Sequence, residues 1–149
     1  MKLLILAISL MVISLPALSQ QIRFRGSDGW GCATPTRYEQ LFNNFNLETF
    51  TGSVSRVDTI TPMTGMGVAV RLILASDGGG SLPVHLGPAW FILNQDLNFP
   101  RDDKVEVRGS RANISGSEFI MAVEVRRRDR ILRFRDDDGN PFWCVFRSR

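Results

Sequence analysis

Residues 82-LPVHLGPAWFIL-93 decide how this chain is read. Leu82, Val84 and Leu86 alternate with Pro83 and His85, the period of two that belongs to a strand. After Gly87 that period ends. Pro88 suits a first helical turn, and Trp90 and Phe91 follow as large apolar groups for one end of a core. The stretch therefore reads as a strand that bends at Gly87 into a short helix over 88–95.

Working outward, the strand period recurs on both sides. Phe50, Gly52 and Val54 alternate from Glu48 onward, and the phase slips at Arg56–Val57, as a β-bulge causes. The turn-rich 61–67 follows, then Val68, Val70, Leu72 and Leu74 share one face. Beyond the helix, Val105, Val107 and Gly109 define a fourth strand, and Phe119, Met121, Val123 and Val125 a fifth. A tight turn at 127-RRDR-130 leads to Leu132 and Phe134, an appended hairpin strand. Upstream, Tyr38, Leu41, Phe42 and Phe45 stand at i, i+3, i+4, i+7, which predicts an N-terminal helix within Thr36–Asn46, with Thr34 or Thr36 as its cap. The order predicts a mainly β domain over 36–149: an OB-like five- to six-stranded barrel with a short helix between strands three and four. A twisted sandwich or another small barrel is the competing architecture.

Residues 1–19, MKLLILAISLMVISLPALS, have the form of a secretory signal peptide: Lys2, an apolar core from Leu3 to Leu15, a break at Pro16, then Ala17 and Ser19. The run is short for a membrane span, which needs roughly 20 apolar residues. Cleavage before Gln20 predicts a periplasmic or secreted chain with no transmembrane segment. Residues 20–35 are glycine-rich and polar, and are expected to be irregular. Without Lys2, 17 basic side chains face 15 acidic ones, a balance that exerts little pull on nucleic acid. Two cysteines, Cys32 and Cys144, read as a disulfide in an oxidising compartment. Such a bridge contributes roughly 4–5 kcal/mol on chain-entropy grounds.

The segments 48-ETFTGSV-54, 65-GMGVAVRL-72, 84-VHLGPAWF-91, 103-DKVEVRGSR-111, 121-MAVEV-125 and 132-LRFRDDDGNPFW-143 resemble the MamS/MamX magnetosome domain family of bacterial envelope proteins. The resemblance runs from about Tyr38 to Trp143. It marks His85, Gly87, Pro88, Trp90, Gly109, Gly139, Pro141 and Trp143 as signature positions, and leaves out the two cysteines. Some members of that family are tied to iron and redox work through covalent-haem motifs. This chain has no such motif, so that activity does not carry over.

His85 is the only histidine. With Val84 and Leu86 facing the core, alternation turns it outward, where it is expected to hydrogen-bond the Gly87–Pro88 bend or the edge of Trp90. Nucleophilic triads need a histidine base beside a nucleophile and an orienting acid, and paired-carboxylate hydrolysis needs two converging acids. The acids at Asp102–Asp103 and Asp136–Asp138 sit where turns are made. No catalytic residue and no cofactor is implied. The outward residues of strands two and three (Ala69, Arg71, Ile73, Pro83, His85) include no aromatic for base stacking. The outward row Arg108, Arg126, Arg128, Arg133, Arg135 is interleaved with Glu106, Glu124 and Asp129, which reads as a salt-bridged solvated face. What is left is a non-catalytic envelope module that binds protein, peptide or glycan through the wall around Arg71, His85 and Trp90. The alternative is a metal- or redox-associated accessory protein for iron or copper, using His85 with Met63 and Met66 as conceivable neighbours.

Overall fold

A computed structural model describes residues 29–147, except 31, 33, 34 and 97. The expected signal peptide, the possible cap Thr34 and most of the segment 20–35 lie outside the described residues.

The protein is mainly β. Among the described residues, six strands follow the order of the sequence patterns: β1 (Leu47–Ile60), β2 (Ala69–Ser76), β3 (Ser81–Pro88), β4 (Lys104–Ile114), β5 (Ser117–Arg127) and β6 (Arg130–Arg133). A four-residue helix, α1 (Ala89–Ile92), separates β3 from β4. The strands form one sheet in the order β3-β2-β1-β4-β5-β6, with antiparallel neighbours. A short parallel pairing also sets Val84–His85 of β3 beside Ile120–Met121 of β5. Val54, Leu72, Leu74, Val84, Leu86, Val107, Ile120 and Val125 fill the interior. Full burial of such a side chain is worth about 1.5–3 kcal/mol.

Local irregularities place the corners. The ladder between β1 and β2 shifts between Val54 and Arg56, just before the expected slip at Arg56–Val57. At the end of β3, Gly87 has φ +150°, and a Cβ there would meet Cζ3 of Trp143 at 2.7 Å. Glycine is required both by backbone and by space. Gly109 lies at a second ladder shift, against β5, where a Cβ would stand 2.4 Å from the Met121 carbonyl oxygen. Here glycine serves close backbone approach alone.

Three expectations are corrected. The N-terminal helix over Thr36–Asn46 reduces to a single 3-10 turn, Glu39–Leu41, into which Thr36 Oγ1 accepts the Glu39 N–H at 3.3 Å. Phe42 is already extended, the Asn43 N–H donates to Ser110 Oγ at 2.8 Å, and Asn43 Oδ1 takes the Phe45 N–H. Asparagine's competing local bonds end the helix, and Phe45 is left 95% exposed. Second, the helix expected over 88–95 is four residues long, with Pro88 as its extended N-cap. Third, Val68 precedes β2 and is exposed, whereas Ala69 and Ile73, expected outward, are buried. Both faces of β2 and β3 are covered, as the next section describes.

Candidate functional site

Four directly paired residues form a row across the sheet: Asp58 on β1, Arg71 on β2, His85 on β3 and Met121 on β5. Cross-strand partners share a face, so His85 does point away from Val84, as alternation requires, while Leu86 stands at a ladder shift between the pairs Arg71–His85 and Val70–Gly87. The expectation that this face meets solvent is wrong. His85 is 7% exposed. Its ring stacks on Phe119 with centroids 4.0 Å apart, and Nδ1 shares a 3.0 Å hydrogen bond with the Tyr38 hydroxyl. Tyr38 itself stacks on Phe119, centroids 6.1 Å apart. The partner is a residue 47 positions upstream, not the Gly87–Pro88 bend or the Trp90 edge.

This environment settles the charge of both groups. Burial, assisted by the nearby Arg71 and Arg135 cations, lowers the His85 pKa to about 4, so the imidazole is neutral at neutral pH. Burial likewise raises the Tyr38 phenol above its ordinary range. Arg71 is engaged by Asp58 through two hydrogen bonds, Nε–Oδ1 at 2.8 Å and Nη2–Oδ2 at 2.7 Å. The Arg71 hydrogen bond holds the Asp58 carboxyl below the usual range.

The cover comes from the segments around Trp30 and Trp143. Trp30 is fully buried, edge-on to Tyr38 and to Trp143 with centroids 5.3 and 5.6 Å away, and its Nε1–H donates to the Gly67 carbonyl at 3.2 Å. Cys32 and Cys144 are joined by a disulfide, S–S 2.06 Å, just beyond the two indoles. Below them a buried ion pair ties the ends again. Arg135, 2% exposed and not on the outward basic row, is bonded through both Nη atoms to the Glu39 carboxylate, and its Nη1 also donates to the Gly139 carbonyl at 3.2 Å. The guanidinium lies over Trp143, 4.7 Å from the ring centroid, and over Phe42 at 5.6 Å. Among the described residues, Trp143 Nε1 is the buried side-chain polar atom with no hydrogen-bond partner.

The remaining expected positions divide by role. Trp90 is half-buried on α1, edge-on to Phe91, centroids 6.2 Å apart, and does not join the stacked cluster around His85. The signature glycines, with Trp143, are explained by packing. A Cβ at Gly139 would meet Phe42 Cδ1 at 2.5 Å, and Pro141 pairs with Arg135 through an isolated bridge. Met63 and Met66 line a groove with Tyr38 and Gly29. Among the described residues, no group of three His, Cys, Asp or Glu side chains could hold a metal ion, and His85 has one ring nitrogen already engaged. The donor set does not fit a first-row metal, which wants three or four converging ligands. Elsewhere part of the basic face is paired as expected, Arg126 with Glu106 at 3.9 Å and Arg133 with Glu124 at 3.4 Å, while Arg108 pairs with Asp137 at 2.7 Å instead. Asp136 acts as a turn former, accepting from the Asp138 and Asn140 N–H groups.

Tyr38, Glu39, Phe119 and Arg135 are the site residues that sequence reasoning missed. The available signal was Tyr38 at the head of an apolar i, i+3, i+4 pattern, and a lone Trp30 two residues from a cysteine. Among the described residues, no helix is long and apolar enough to cross a membrane. The sequence model of the MamS/MamX magnetosome protein family matches residues 46–132. The match spans β1 to β6 and includes His85, while Trp30, Tyr38, Arg135, Gly139, Pro141, Trp143 and both cysteines lie outside it. No curated protein matches the chain significantly.

Proposed function

The chain belongs to the MamS/MamX magnetosome protein family, and from that premise we propose that it is an exported, non-catalytic accessory module of the bacterial cell envelope. One observation carries the reading: the buried ionisable groups are bonded to one another, Tyr38 to His85 and Glu39 to Arg135, and the half-buried Arg71 is bonded to Asp58. Each is a structural tie, whereas a general base needs an accessible lone pair within reach of a substrate proton. The signal-peptide pattern of residues 1–19 and the disulfide support an oxidising, extracytoplasmic location.

The architecture we propose is an OB-type closed barrel of β1–β5 with β6 appended. The paired row from Asp58 through Arg71, His85 and Met121 continues to Ser110 on β4 and returns to β1 at Leu47, near that strand's other end. A stagger of this kind is what closure demands. On such a barrel the outer face of β2 and β3 is the usual ligand wall, and here Tyr38 and Phe119, with Trp30 edge-on to Tyr38, lie on part of it. The function is then to present the remaining rim, including Arg71 and Trp90, to a protein, peptide or glycan partner.

The mature chain, purified from the periplasm, should begin at Gln20 by mass spectrometry. Capture from envelope extract followed by direct binding should show Arg71→Ala and Trp90→Ala each weakening the partner at least about tenfold. Wild-type affinity in both variants would remove this surface from consideration. Iron or copper binding by the wild type that is lost in His85→Ala would instead favour the metal-associated reading.

A further inference from the structure

The turn between β1 and β2 and the segment before β1 line an open groove of about 390 Å³. Thr36, Arg37 and Tyr38 stand on one side, and Met63, Thr64 and Met66 on the other. Both walls are fixed from behind. Tyr38 is buried and bonded to His85, the Gln40 N–H donates to the Thr36 carbonyl at 3.0 Å, and Thr36 Oγ1 takes the Glu39 N–H at 3.3 Å. Arg37 is thus held in place by both of its chain neighbours. Across the groove, the Met66 N–H closes a turn onto the Met63 carbonyl at 3.1 Å, with Gly65 at φ +86°. Gly29 packs against Met66, where a Cβ would be 2.9 Å from Cγ.

The chemistry of this lining is one-sided. Met63 and Met66 are half-buried and give soft, adaptable apolar surface. Among the described residues, Arg37 is the one charged group of the lining, and it is exposed with no hydrogen bond or ion pair of its own. Arg71, Arg108, Arg111 and Arg135, by contrast, are each tied to a carboxylate. The Thr36 hydroxyl accepts from Glu39 and still has its own proton to give. Apolar surface beside a single free guanidinium fits a monoanion with an apolar body. A carboxylate meets the guanidinium fork through two parallel hydrogen bonds. A phosphate dianion would call for a second cation, and the described lining has none. We propose that the groove is a binding site for a small carboxylate carrying a short apolar chain, its head on Arg37 and Thr36 and its chain over Met63 and Met66. The volume falls within the roughly 300–1,000 Å³ of small-ligand sites. Neither Arg71 nor Trp90 lines the groove, so this goes beyond the accessory-module reading and stands or falls apart from it.

The test uses the full mature chain with methyl-labelled methionine, titrated with octanoate and followed by NMR. The Met63 and Met66 methyl signals should shift to saturation, while Met121, fully buried and outside the groove, should not respond. Octylamine and octanol should bind at least about tenfold more weakly than octanoate, and octyl phosphate no more tightly. Arg37→Met removes an exposed group that no described residue uses, so it should fold as the parent does. It should lose at least about tenfold in octanoate affinity, and with it the preference over octanol, whereas Arg37→Lys should keep part of both. If the Arg37→Met variant does not fold, the ligand series on the unmodified chain decides alone. No saturable shift of the two methyls, equal binding of octylamine or octanol, or tighter binding of octyl phosphate would each overturn the proposal. So would unchanged affinity in a folded Arg37→Met variant, or a Met121 shift that accompanies the other two.

Discussion

Gly87→Ala tests how the strand-to-helix corner is held. The added methyl would lie 2.7 Å from Trp143 Cζ3, with Cε3 at 3.2 Å and Cη2 at 3.3 Å, and the residue must keep φ +150°. Strain from the backbone is worth about 1–3 kcal/mol, and overpacking a well-filled core another 1–3 kcal/mol. Trp143 cannot yield freely, since Trp30, Phe91 and the Arg135 guanidinium surround it. A loss of about 2–6 kcal/mol is expected, measured by urea unfolding with the disulfide intact. Gly79→Ala separates the two contributions: φ is +96° there, and nothing lies within 4 Å of the new methyl. That control should lose only about 1 kcal/mol. Shortening the indole with Trp143→Leu should then reduce the cost of Gly87→Ala, a coupling visible in a double-mutant cycle. A Gly87→Ala loss no larger than that of Gly79→Ala, or strict additivity with Trp143→Leu, would refute the reasoning.

Tyr38→Phe leaves the His85 Nδ1 without its partner and should cost about 1–3 kcal/mol by thermal or urea unfolding. Histidine titration followed by NMR should give a midpoint near the lowered value of about 4. The unfolded chain takes up that proton near 6.5, so the His85 contribution is complete above pH 6.5 and is lost between 6.5 and about 4, to an extent of about 3 kcal/mol. Arg135→Met strands the Glu39 carboxylate and should cost about 3–5 kcal/mol. Arg111→Ala, which breaks exposed pairs with Glu48 and Glu118, should cost less than about 1 kcal/mol, and less still as salt is raised.

The strands were legible because their pattern is local. Leu72 and Leu74, Val105 and Val107, Val123 and Val125 each sit two positions apart on one face, and this periodicity survives in the structure. Even the bulge in β1 left a phase slip that can be read near Arg56. The covered wall was not legible for the opposite reason. Alternation gives the direction of the His85 ring but not what lies over it: Tyr38 comes from 47 positions upstream, and Trp30 lies edge-on to Tyr38 in turn. The buried Arg135 was misread because arginine follows strand alternation to the surface by default, unless a carboxylate as distant in sequence as Glu39 receives it. The N-terminal helix stops at Phe42, which is already extended, and Asn43 beyond it bonds to Ser110 and to the Phe45 N–H instead of continuing the turn.

With Cα atoms 5.3 Å apart at Cys32 and Cys144, the described fold is nearly a covalent ring. A protease that nicks the exposed glycine turn at 78–80 would leave both fragments linked, so the cut molecule, heavier by one water, comes apart only when a reductant is added. The same proximity allows the chain to be joined across Cys32 and Cys144 and opened at that turn, giving a circular permutant whose strand pairings are unchanged.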